Sequence, residues 1–422
     1  MAGDDGYRPR VADAALDTAL HVAGAVQIVG PKWCGKTTTA ARRAAGAVYF
    51  QDPDRRASYA QIAAEQPSLL LQGDKPLLLD EWQDTPTIWD AVRFAVDREP
   101  GYGQFILTGS SVPAADEIRH SGTGRFARVV MRPMSLYESG ESSGEVSLRT
   151  VADGGDIAGR ARGDLSAVAH MIVRGGWPAS VVSDDEYAQQ RAAAYVDSVI
   201  ELDVSRVDGV EKNPRRVRLL LRSLARNEST EAAMTTLRAN MATDEGSVST
   251  NTIAVYLNAL RRLYMIEDQE AWAPAVRSKT ALRTAPVRRF CDPSLAAALL
   301  GLTSDKLLVD FNTFGMLFES LCVRDLRVYA GAMGASVWHY RDARGLECDA
   351  IIELPDGRWG AVEIKLQQRH ENDAAANLLR IQSLVRSQHG GPASFLIIVA
   401  ADGFAYRRSD GIIVAPITCL MP

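Results

Sequence analysis

The residues best suited to chemistry form a glycine-bounded loop that follows the apolar stretch at residues 25–29. Glycines let a backbone wrap phosphate groups, the Lys36 ammonium can reach the β- and γ-phosphates, and the Thr37 hydroxyl can bind Mg²⁺. The alanine-rich stretch after the loop favours a helix, whose unpaired N–H groups point back into the loop. The pattern predicts a site for a nucleoside triphosphate. The predicted contact residues are Gly30, Pro31, Cys34, Gly35, Lys36, Thr37 and Thr38.

Two further carboxylates stand at the end of a predicted buried strand, residues 75–81. In this position after a phosphate loop, Asp80 would hold Mg²⁺ opposite Thr37, and Glu81 would polarise the attacking water. The pair therefore predicts phosphoryl transfer to water rather than nucleotide binding alone.

The next predicted strand, residues 104–111, ends in hydroxyl side chains that could sense the terminal phosphate. Thr108 and Ser110 are both candidates, and the sequence does not choose between them. Strands in this part of the chain alternate with predicted helices at residues 58–65 and 86–97. That alternation argues for a parallel sheet with the nucleotide at the carboxyl ends of its strands.

Another set of ionisable residues lies on two predicted strands near the C-terminus, residues 347–353 and 359–365. Side chains alternate along a strand, so Glu363 and Lys365 share one face of the second strand. With Asp349 they form the set that a metal-dependent phosphodiesterase needs, two carboxylates for Mg²⁺ and a lysine at the attacking water. The alternative is a hairpin whose acids and lysine form surface ion pairs.

The middle of the chain predicts three helices, at residues 215–226, 230–241 and 249–264, followed by a hairpin at residues 265–271 and 285–290. This order is typical of a winged helix-turn-helix, which places its third helix in the DNA major groove and lets the wing touch the backbone. Winged helices also serve as lids or protein-docking units, which is the alternative here.

Charge is unevenly distributed along the chain, which carries a net charge of −5. Residues 206–290 contain 15 Lys and Arg against 9 Asp and Glu, a net charge of +6, so the remainder carries −11. The loop of the predicted wing contributes Arg277, Lys279 and Arg283 to this excess. A basic segment between acidic flanks points to an anionic partner such as DNA.

The composition is that of an ordinary globular protein, with 422 residues of which 46% are hydrophobic and 23% charged. This length is enough for two or three domains. Five scattered cysteines form no C-x-x-C pair, which argues against a zinc site or a disulfide framework and favours a reducing compartment. Residues 1–20 lack the apolar core of a signal peptide, and the longest apolar run, residues 395–401, is too short to cross a bilayer. We therefore expect a cytoplasmic protein without a membrane partner.

Three stretches resemble those of one protein group. The phosphate loop, L-L-L-D-E-W-Q at residues 77–83 and F-I-L-T-G-S-S at residues 105–111 are similar to AAA-type ATPases, in particular to prokaryotic ATPases with a C-terminal domain of unknown function, DUF4143. Residues 124–138 resemble the G-R-x-x-x-x-x-x-R-P-x-S-x-x-E stretch of that group. The resemblance implies ATP as the ligand and a homo-oligomer that supplies an arginine to the neighbouring site. Arg125 and Arg128 are the candidates, and a structural ion pair is the alternative.

The C-terminal strands resemble the PD-(D/E)xK fold of restriction endonucleases, as in archaeal Holliday-junction resolvases. That resemblance implies a further acid from the preceding helix, here Glu319, and a glutamine after the lysine, here Gln367. The implied metal ligands are then Glu319, Asp349 and Glu363. Cys348 precedes Asp349 where the family has a proline, so a domain that grips DNA without cutting it is the alternative.

Together these features predict an α/β protein with four parts. They are a P-loop AAA-type parallel-sheet domain (residues 1–140), a helical linker or lid (141–205), a winged helix (206–292) and a PD-(D/E)xK-like domain (293–422). The predicted function is Mg²⁺-dependent ATP hydrolysis coupled to DNA binding and to metal-dependent cleavage of branched or Holliday-junction-like DNA. The alternative is a nucleotide-dependent switch whose C-terminal half binds a protein partner and cuts nothing.

Overall fold

The structure, a computed structural model, describes residues 6–110, 123–183, 186–242, 248–274, 285–389 and 391–422. The chain divides into two compact units. The first unit comprises Met1–Pro133, Glu201–Lys212 and Tyr256–Met265, and the second comprises Met134–Ile200, Asn213–Val255 and Ile266–Pro422.

The first unit contains the phosphate loop and an alternating series of helices and strands. In chain order these are α1 (Val11–Val22), β1 (Ala25–Val29), α2 (Lys36–Ala41), β2 (Gly46–Tyr49), α3 (Arg56–Glu65), β3 (Leu77–Asp80), α4 (Thr87–Arg98), β4 (Phe105–Gly109) and β5 (Phe126–Val130). The sequence interpretation missed α1 and β5, which lie outside the phosphate-site motifs.

The five strands are all parallel, in the order β2-β3-β4-β1-β5, which confirms the predicted parallel sheet. Alternate residues of the central strands enter two separate apolar clusters, because helices cover both faces of the sheet. Ala63 and Ile88 from α3 and α4 belong to one cluster, and Leu16 and Ala40 from α1 and α2 belong to the other. This packing holds the carboxyl ends of β1, β3 and β4 together at one edge.

The rest of the chain forms further helices and strands. They are α5 (Leu136–Ser139), β6 (Val146–Ser147), α6 (Leu148–Ala152), β7 (Gly159–Arg160), α7 (Leu165–Arg174), α8 (Pro178–Ser183), α9 (Ala188–Ser198), α10 (Val204–Arg206), α11 (Pro214–Arg226), α12 (Met234–Asn240), α13 (Thr250–Arg262), β8 (Ile266–Gln269), β9 (Val287–Phe290), α14 (Pro293–Leu300), α15 (Ser304–Val309), α16 (Phe311–Gly331), β10 (Ser336–Arg341), β11 (Glu347–Glu353), β12 (Trp359–Lys365), α17 (Glu371–His389), β13 (Phe395–Ala400), β14 (Phe404–Arg407), β15 (Ile413–Pro416) and β16 (Leu420–Met421).

The second unit is built on a mixed seven-stranded sheet in the order β10-β11-β12-β13-β15-β14-β7. The predicted hairpin is present, since β11 and β12 pair antiparallel, and β12 continues parallel to β13. Strand β7 closes one edge of this sheet, and β6 pairs with β16 at the C-terminus. Residues 141–164, predicted as part of a linker or lid, therefore supply strands to C-terminal partners, a pairing between segments too far apart in sequence for local patterns to reveal.

The middle of the chain differs from its prediction in three places. Helix α12 is shorter than expected because the backbone of Thr230 bridges to Arg288 before the helix begins. In the last part of the predicted helical linker, α9 passes through a π-helical turn at Val199–Asp203 into α10, so this part is not one uninterrupted α-helix. The boundary between the two units falls inside α13, within the range predicted as the winged helix.

Candidate functional site

The phosphate loop lies at the carboxyl end of β1, where both of its predicted glycines are needed. Gly30 has a φ of +151°, and a Cβ on it would lie 2.1 Å from the Met131 carbonyl oxygen. Gly35 has a φ of +99° and directly precedes the first turn of α2. Only glycine adopts these conformations without strain, so the loop keeps an open backbone surface for a ligand.

Lys36 is buried inside this loop, with 5% of the residue exposed. Its Nζ donates to the carbonyl oxygens of Gly30, at 3.0 Å, and Pro31, at 2.8 Å. A buried ammonium held by neutral carbonyls strongly attracts an anion, because the surrounding dielectric screens its charge only weakly. The interior of the loop therefore fits a phosphate group.

Asp80, at the end of β3, gathers two hydroxyls. Thr37 Oγ1 donates to Asp80 Oδ1 at 2.7 Å, and Thr108 Oγ1 donates to the same oxygen at 2.5 Å. Parallel pairing of β3 and β4 places Asp80 beside Thr108 in register. Hydroxyl and carboxylate oxygens are the hard donors that Mg²⁺ prefers, so the residues present fit the predicted metal.

Glu81 turns the chain out of β3 with a φ of +52°, an uncommon conformation for a residue other than glycine. Ser110 Oγ donates to Glu81 Oε2 at 3.1 Å, and the Gln83 amide donates to the same oxygen. The two hydroxyls that the sequence left as alternatives are thus separated, since Thr108 binds Asp80 and Ser110 binds Glu81. Gln83 was not singled out from the sequence.

The other predicted contact residues contribute in different ways. The Cys34 side chain is fully buried in an apolar cluster, so only its main chain can face a ligand. Pro31 offers no N–H group, and its carbonyl accepts from Lys36. Thr38 is exposed on the first turn of α2.

Arg10, which the sequence interpretation missed, supports the loop from the chain before α1. It is 7% exposed, and its guanidinium donates to the carbonyl oxygens of Cys34 and Arg132, each at 2.7 Å. These partners are 24 and 122 residues away in sequence, so no local pattern could have revealed the contacts.

The two candidate arginines, Arg125 and Arg128, both donate to side chains outside this chain's own phosphate loop. Arg125 precedes β5 at the amino end of the sheet, and its Nε donates to Asp97 at 2.7 Å. Five residues of strand, about 16 Å, separate it from the carboxyl edge. Arg128 donates to the Tyr264 hydroxyl at 2.6 Å. The structure therefore does not bring Arg125 into its own chain's nucleotide site, so such a role requires a second subunit.

The predicted C-terminal set converges on β11 and β12. Lys365 Nζ lies 2.7 Å from Glu363 Oε2 and 3.6 Å from Asp349 Oδ2. The Ile364 N–H donates to Asp349 Oδ2 at 2.7 Å. Asn377 on α17, missed from the sequence, donates to Glu363 Oε1 at 2.9 Å. We call Asp349, Glu363 and Lys365, with Glu319, the C-terminal acid cluster.

Burial and neighbouring charges shift the pKa values of this cluster. Burial and the charge of Asp349 raise the pKa of Glu363 to about 7. Burial raises the pKa of Glu319 to about 7, although the positive charge of Arg289 acts to lower it. Burial lowers the pKa of Lys365, but the charges of Asp349 and Glu363 outweigh it and hold this pKa above its ordinary value. The lysine therefore stays protonated.

Cations already occupy the oxygens that the prediction assigned to a metal. Arg289 Nη2 donates to Glu319 Oε1 at 2.6 Å, while the Lys365 ammonium contacts Asp349 and Glu363. Within the part of the chain that the structure describes, no three His, Cys, Asp or Glu side chains form a metal-binding group. The predicted metal set of Glu319, Asp349 and Glu363 is therefore not assembled, and metal binding there would require Lys365 to move.

The hairpin predicted as a wing has its inner residues buried against this cluster. Gln269 on β8 is fully buried and donates to the Asp349 carbonyl oxygen at 3.0 Å. Arg289 on β9 is 2% exposed and donates to Gln269 Oε1 at 2.9 Å. The basic loop predicted for this hairpin, with Arg277, Lys279 and Arg283, lies outside the described residues.

Three protein families match the chain in succession. An AAA domain matches residues 23–140, a domain of unknown function, DUF8612, matches residues 166–306, and DUF4143 matches residues 314–420. The resemblance to AAA-type ATPases with a DUF4143 domain is confirmed, and the AAA domain makes the protein an ATPase. DUF4143 matches about the last quarter of the chain, and the middle of the chain matches a separate family, DUF8612.

Two similar proteins match most of the chain, beyond any one of these domains. The chain is 26% identical over 362 residues to the uncharacterized protein Rv2008c of Mycobacterium tuberculosis and the uncharacterized protein Mb2031c of Mycobacterium bovis, covering 84% of this chain and 73% of each relative. The solved Walker-type ATPase PABY2304 of Pyrococcus abyssi matches 70% of this chain and 97% of its own, with a TM-score of 0.44 and 13% identity. Across the described ranges, no helix has the length and apolar character to cross a membrane.

Proposed function

We propose that the protein hydrolyses ATP at the phosphate loop with Mg²⁺ and couples hydrolysis to DNA binding. The observation that carries the ATPase site is the meeting of Lys36, Thr37, Asp80 and Glu81 at the carboxyl edge of one parallel sheet. That edge is where α/β sheets bind their ligands.

Each residue has a distinct role in this proposal. Thr37 and Asp80 would hold Mg²⁺, which when bound offsets charge on the phosphates. Lys36 would leave its two loop carbonyls to bind phosphate oxygens. Glu81 would accept the proton of the attacking water, with Ser110 and Gln83 keeping its carboxylate in place.

The test uses two variants with different expected losses. Lys36→Ala should abolish nucleotide binding, because it removes the buried cation that would bind phosphate oxygens inside the loop. Glu81→Gln should still bind ATP but lower kcat by about 100-fold or more, the usual contribution of a general base. Glu65→Gln, an exposed acid on α3, is the matched control. Normal turnover by Glu81→Gln would remove Glu81 from this role.

The DNA proposal draws its support from α11 rather than from the predicted third helix. Arg215, Arg218, Arg222 and Arg226 are spaced by three or four residues and therefore lie along one face, over about 16 Å of helix. The opposite face is buried through Leu220 and other apolar residues. Arg218 also contacts Asp197, at 2.8 Å. We call the four arginines the α11 stripe, and its spacing suits the phosphate backbone of a duplex.

Changing the two most C-terminal arginines of the stripe tests DNA binding. Arg222→Glu with Arg226→Glu should weaken binding to all duplex sequences alike and reduce the slope of log K against log salt by about 2. Arg55→Glu with Arg56→Glu makes the same change in net charge at the start of α3 and should leave binding unchanged. Equal losses in both double variants would assign the effect to overall charge instead.

A second candidate activity is metal-dependent phosphodiester cleavage at the C-terminal acid cluster. Its support is the convergence of Asp349, Glu363 and Lys365 within 3.6 Å. The contrary observation is that cations already contact the acids of this cluster, which suits the rival proposal of a switch that cuts nothing. Lys365 contacts Asp349 and Glu363, and Arg289 contacts Glu319.

Mg²⁺-dependent cleavage of linear, branched and four-way DNA separates these two proposals. Cleavage that disappears in both Asp349→Asn and Lys365→Met would support the nuclease. Intact ATPase activity without cleavage of any substrate would support the switch. Asp356→Asn, an exposed acid in the turn between the same two strands, is the matched control.

A further inference from the structure

The phosphate loop carries a second lysine, Lys32, which bonds to a distant part of the same unit. Lys32 Nζ lies 2.7 Å from Asp203 Oδ1. The Lys32 side chain is 43% exposed, whereas that of Asp203 is 10% exposed. The carboxylate is thus largely buried, whereas the ammonium stands at the end of a flexible four-carbon stem.

Asp203 belongs to a short segment that joins the two units along the chain. Glu201–Lys212, which we call the crossover loop, is part of the first unit, while its flanking residues belong to the second. The loop is closed by the Lys212 N–H donating to Ser205 Oγ at 2.9 Å and by Lys212 Nζ donating to Asp208 Oδ1 at 2.5 Å. Asp203 is the last residue of the π-helical turn at Val199–Asp203, which leads into the crossover loop. Such turns are frequent at functional sites.

Two anions would compete for Lys32 once a triphosphate binds. It lies two residues after Gly30 in the loop proposed to wrap the phosphates, so a bound triphosphate brings several negative charges to its side chain. Asp203 offers one negative charge in a partly exposed pair, which is worth about two- to fivefold in an equilibrium constant. A triphosphate is therefore the stronger partner.

We infer that Asp203 is a positioning residue of the nucleotide site: it holds Lys32 in the nucleotide-free protein and yields it to the terminal phosphate of ATP, which releases the crossover loop. This inference rests on the proposed ATP site and adds to it a second phosphate-binding lysine and a segment that responds to the nucleotide.

A double-mutant cycle tests the competition. Asp203→Asn should bind a non-hydrolysable ATP analogue with Mg²⁺ about two- to fivefold tighter than the wild type, because Lys32 is free to turn to the phosphates. ADP, which lacks the terminal phosphate, should bind both proteins alike. In a Lys32→Met background, the Asp203→Asn change should have no effect on either nucleotide. Asp208→Asn, in the same loop, is the control for loosening of the loop itself.

Hydrogen exchange supplies a readout that does not depend on affinity. The ATP analogue should speed amide exchange across residues 201–212 in the wild type, and Lys32→Met should show fast exchange there without nucleotide. Equal analogue affinity in the wild type and Asp203→Asn, or the same gain in the Lys32→Met background, would overturn the inference. Failure of the wild type to bind nucleotide would instead overturn the ATP site itself, and this inference with it.

Discussion

At the scale of single residues, neighbouring side chains divide the work at the nucleotide edge. Thr108 and Ser110 are two residues apart on one strand and chemically alike, yet they bind different acids. Thr108 stabilises Asp80, the proposed metal ligand, and Ser110 stabilises Glu81, the proposed base. The role of each hydroxyl follows from the acid it reaches.

Removal of the Ser110 hydroxyl should therefore affect the chemical step. We expect Ser110→Ala to lower kcat about tenfold and leave ATP affinity unchanged, because a hydrogen bond to a charged group contributes about 1.5 kcal/mol. Steady-state kinetics with a separate binding measurement would check this split. An equal change in KM would show that Ser110 binds nucleotide instead of placing Glu81.

A buried acid in the second unit predicts how stability depends on pH. Glu228 is 1% exposed and accepts from Ser320 Oγ at 2.6 Å and from the Phe290 N–H at 3.0 Å. Burial raises its pKa from 4.5 to about 7 despite these bonds. Between those values the folded state keeps a proton that the unfolded chain has lost, so this group's contribution to stability falls as pH rises through the window.

Glu228→Gln should remove that dependence. The free energy of unfolding of the wild type, relative to this variant, should fall by about 3 kcal/mol between pH 4.5 and pH 8. Urea unfolding at several pH values measures the difference, and Glu65→Gln serves as an exposed control. A difference that stays constant with pH would show that the charged form of Glu228 is not disfavoured in the folded protein.

At the scale of elements, the turn between α7 and α8 packs against residues 124–138, the stretch that resembles the group of ATPases with a DUF4143 domain. The Met134 N–H donates to the Gly176 carbonyl oxygen at 2.6 Å, and the Gly176 N–H donates to Asp292 Oδ2 at 3.0 Å. Asp292 in turn bonds to the buried Arg324 at 2.7 Å. A Cβ on Gly176 would lie 2.2 Å from the Met134 carbonyl oxygen. This glycine serves packing rather than ligand binding.

Gly176→Ala should accordingly destabilise the second unit by about 2–3 kcal/mol, since the backbone must shift to admit a methyl group. Gly315→Ala is the matched control, because Gly315 lies in α16 and a Cβ there would meet nothing within 4 Å. That control should be neutral or slightly stabilising. Thermal unfolding of both variants checks the contrast, and similar losses in the two would count against a close approach at Gly176.

At the scale of the whole molecule, Arg125 raises the question of assembly. It stands at the amino end of the sheet, opposite the phosphate loop, and bonds to Asp97. If it completes a neighbouring site, Arg125→Ala should lower ATPase activity by about 1,000-fold, the usual effect of losing such an arginine. In an equal mixture with Lys36→Ala, about a quarter of the shared sites combine an intact Lys36 with an intact Arg125 from the neighbouring subunit. The mixture should therefore recover about a quarter of the wild-type rate.

Arg93→Ala controls for this experiment, since Arg93 also bonds to Asp97, at 3.1 Å. It should leave ATPase activity unchanged. Full activity of Arg125→Ala, or no recovery on mixing, would leave Arg125 with a structural ion pair only.

The ATPase core could be predicted from the sequence alone, because the residues of that site lie in short contiguous runs. Gly30 to Thr37 form one run from the loop into the first turn of α2, and Asp80 and Glu81 stand at the end of one apolar strand, so local pattern and chemistry suffice. The hairpin that carries Glu363 and Lys365 was predictable for the same reason, since alternation along a strand is a local property.

The groups that meet these residues from distant parts of the chain became evident only from the fold. Arg10 and Asp203 reach the phosphate loop from remote parts of the chain, and Arg289 reaches Glu319 from another element. Strand order and packing choose such partners, and neither follows from the spacing of apolar residues. For the same reason, only the folded chain shows that cations, and not an open metal site, lie against the acids of the C-terminal acid cluster.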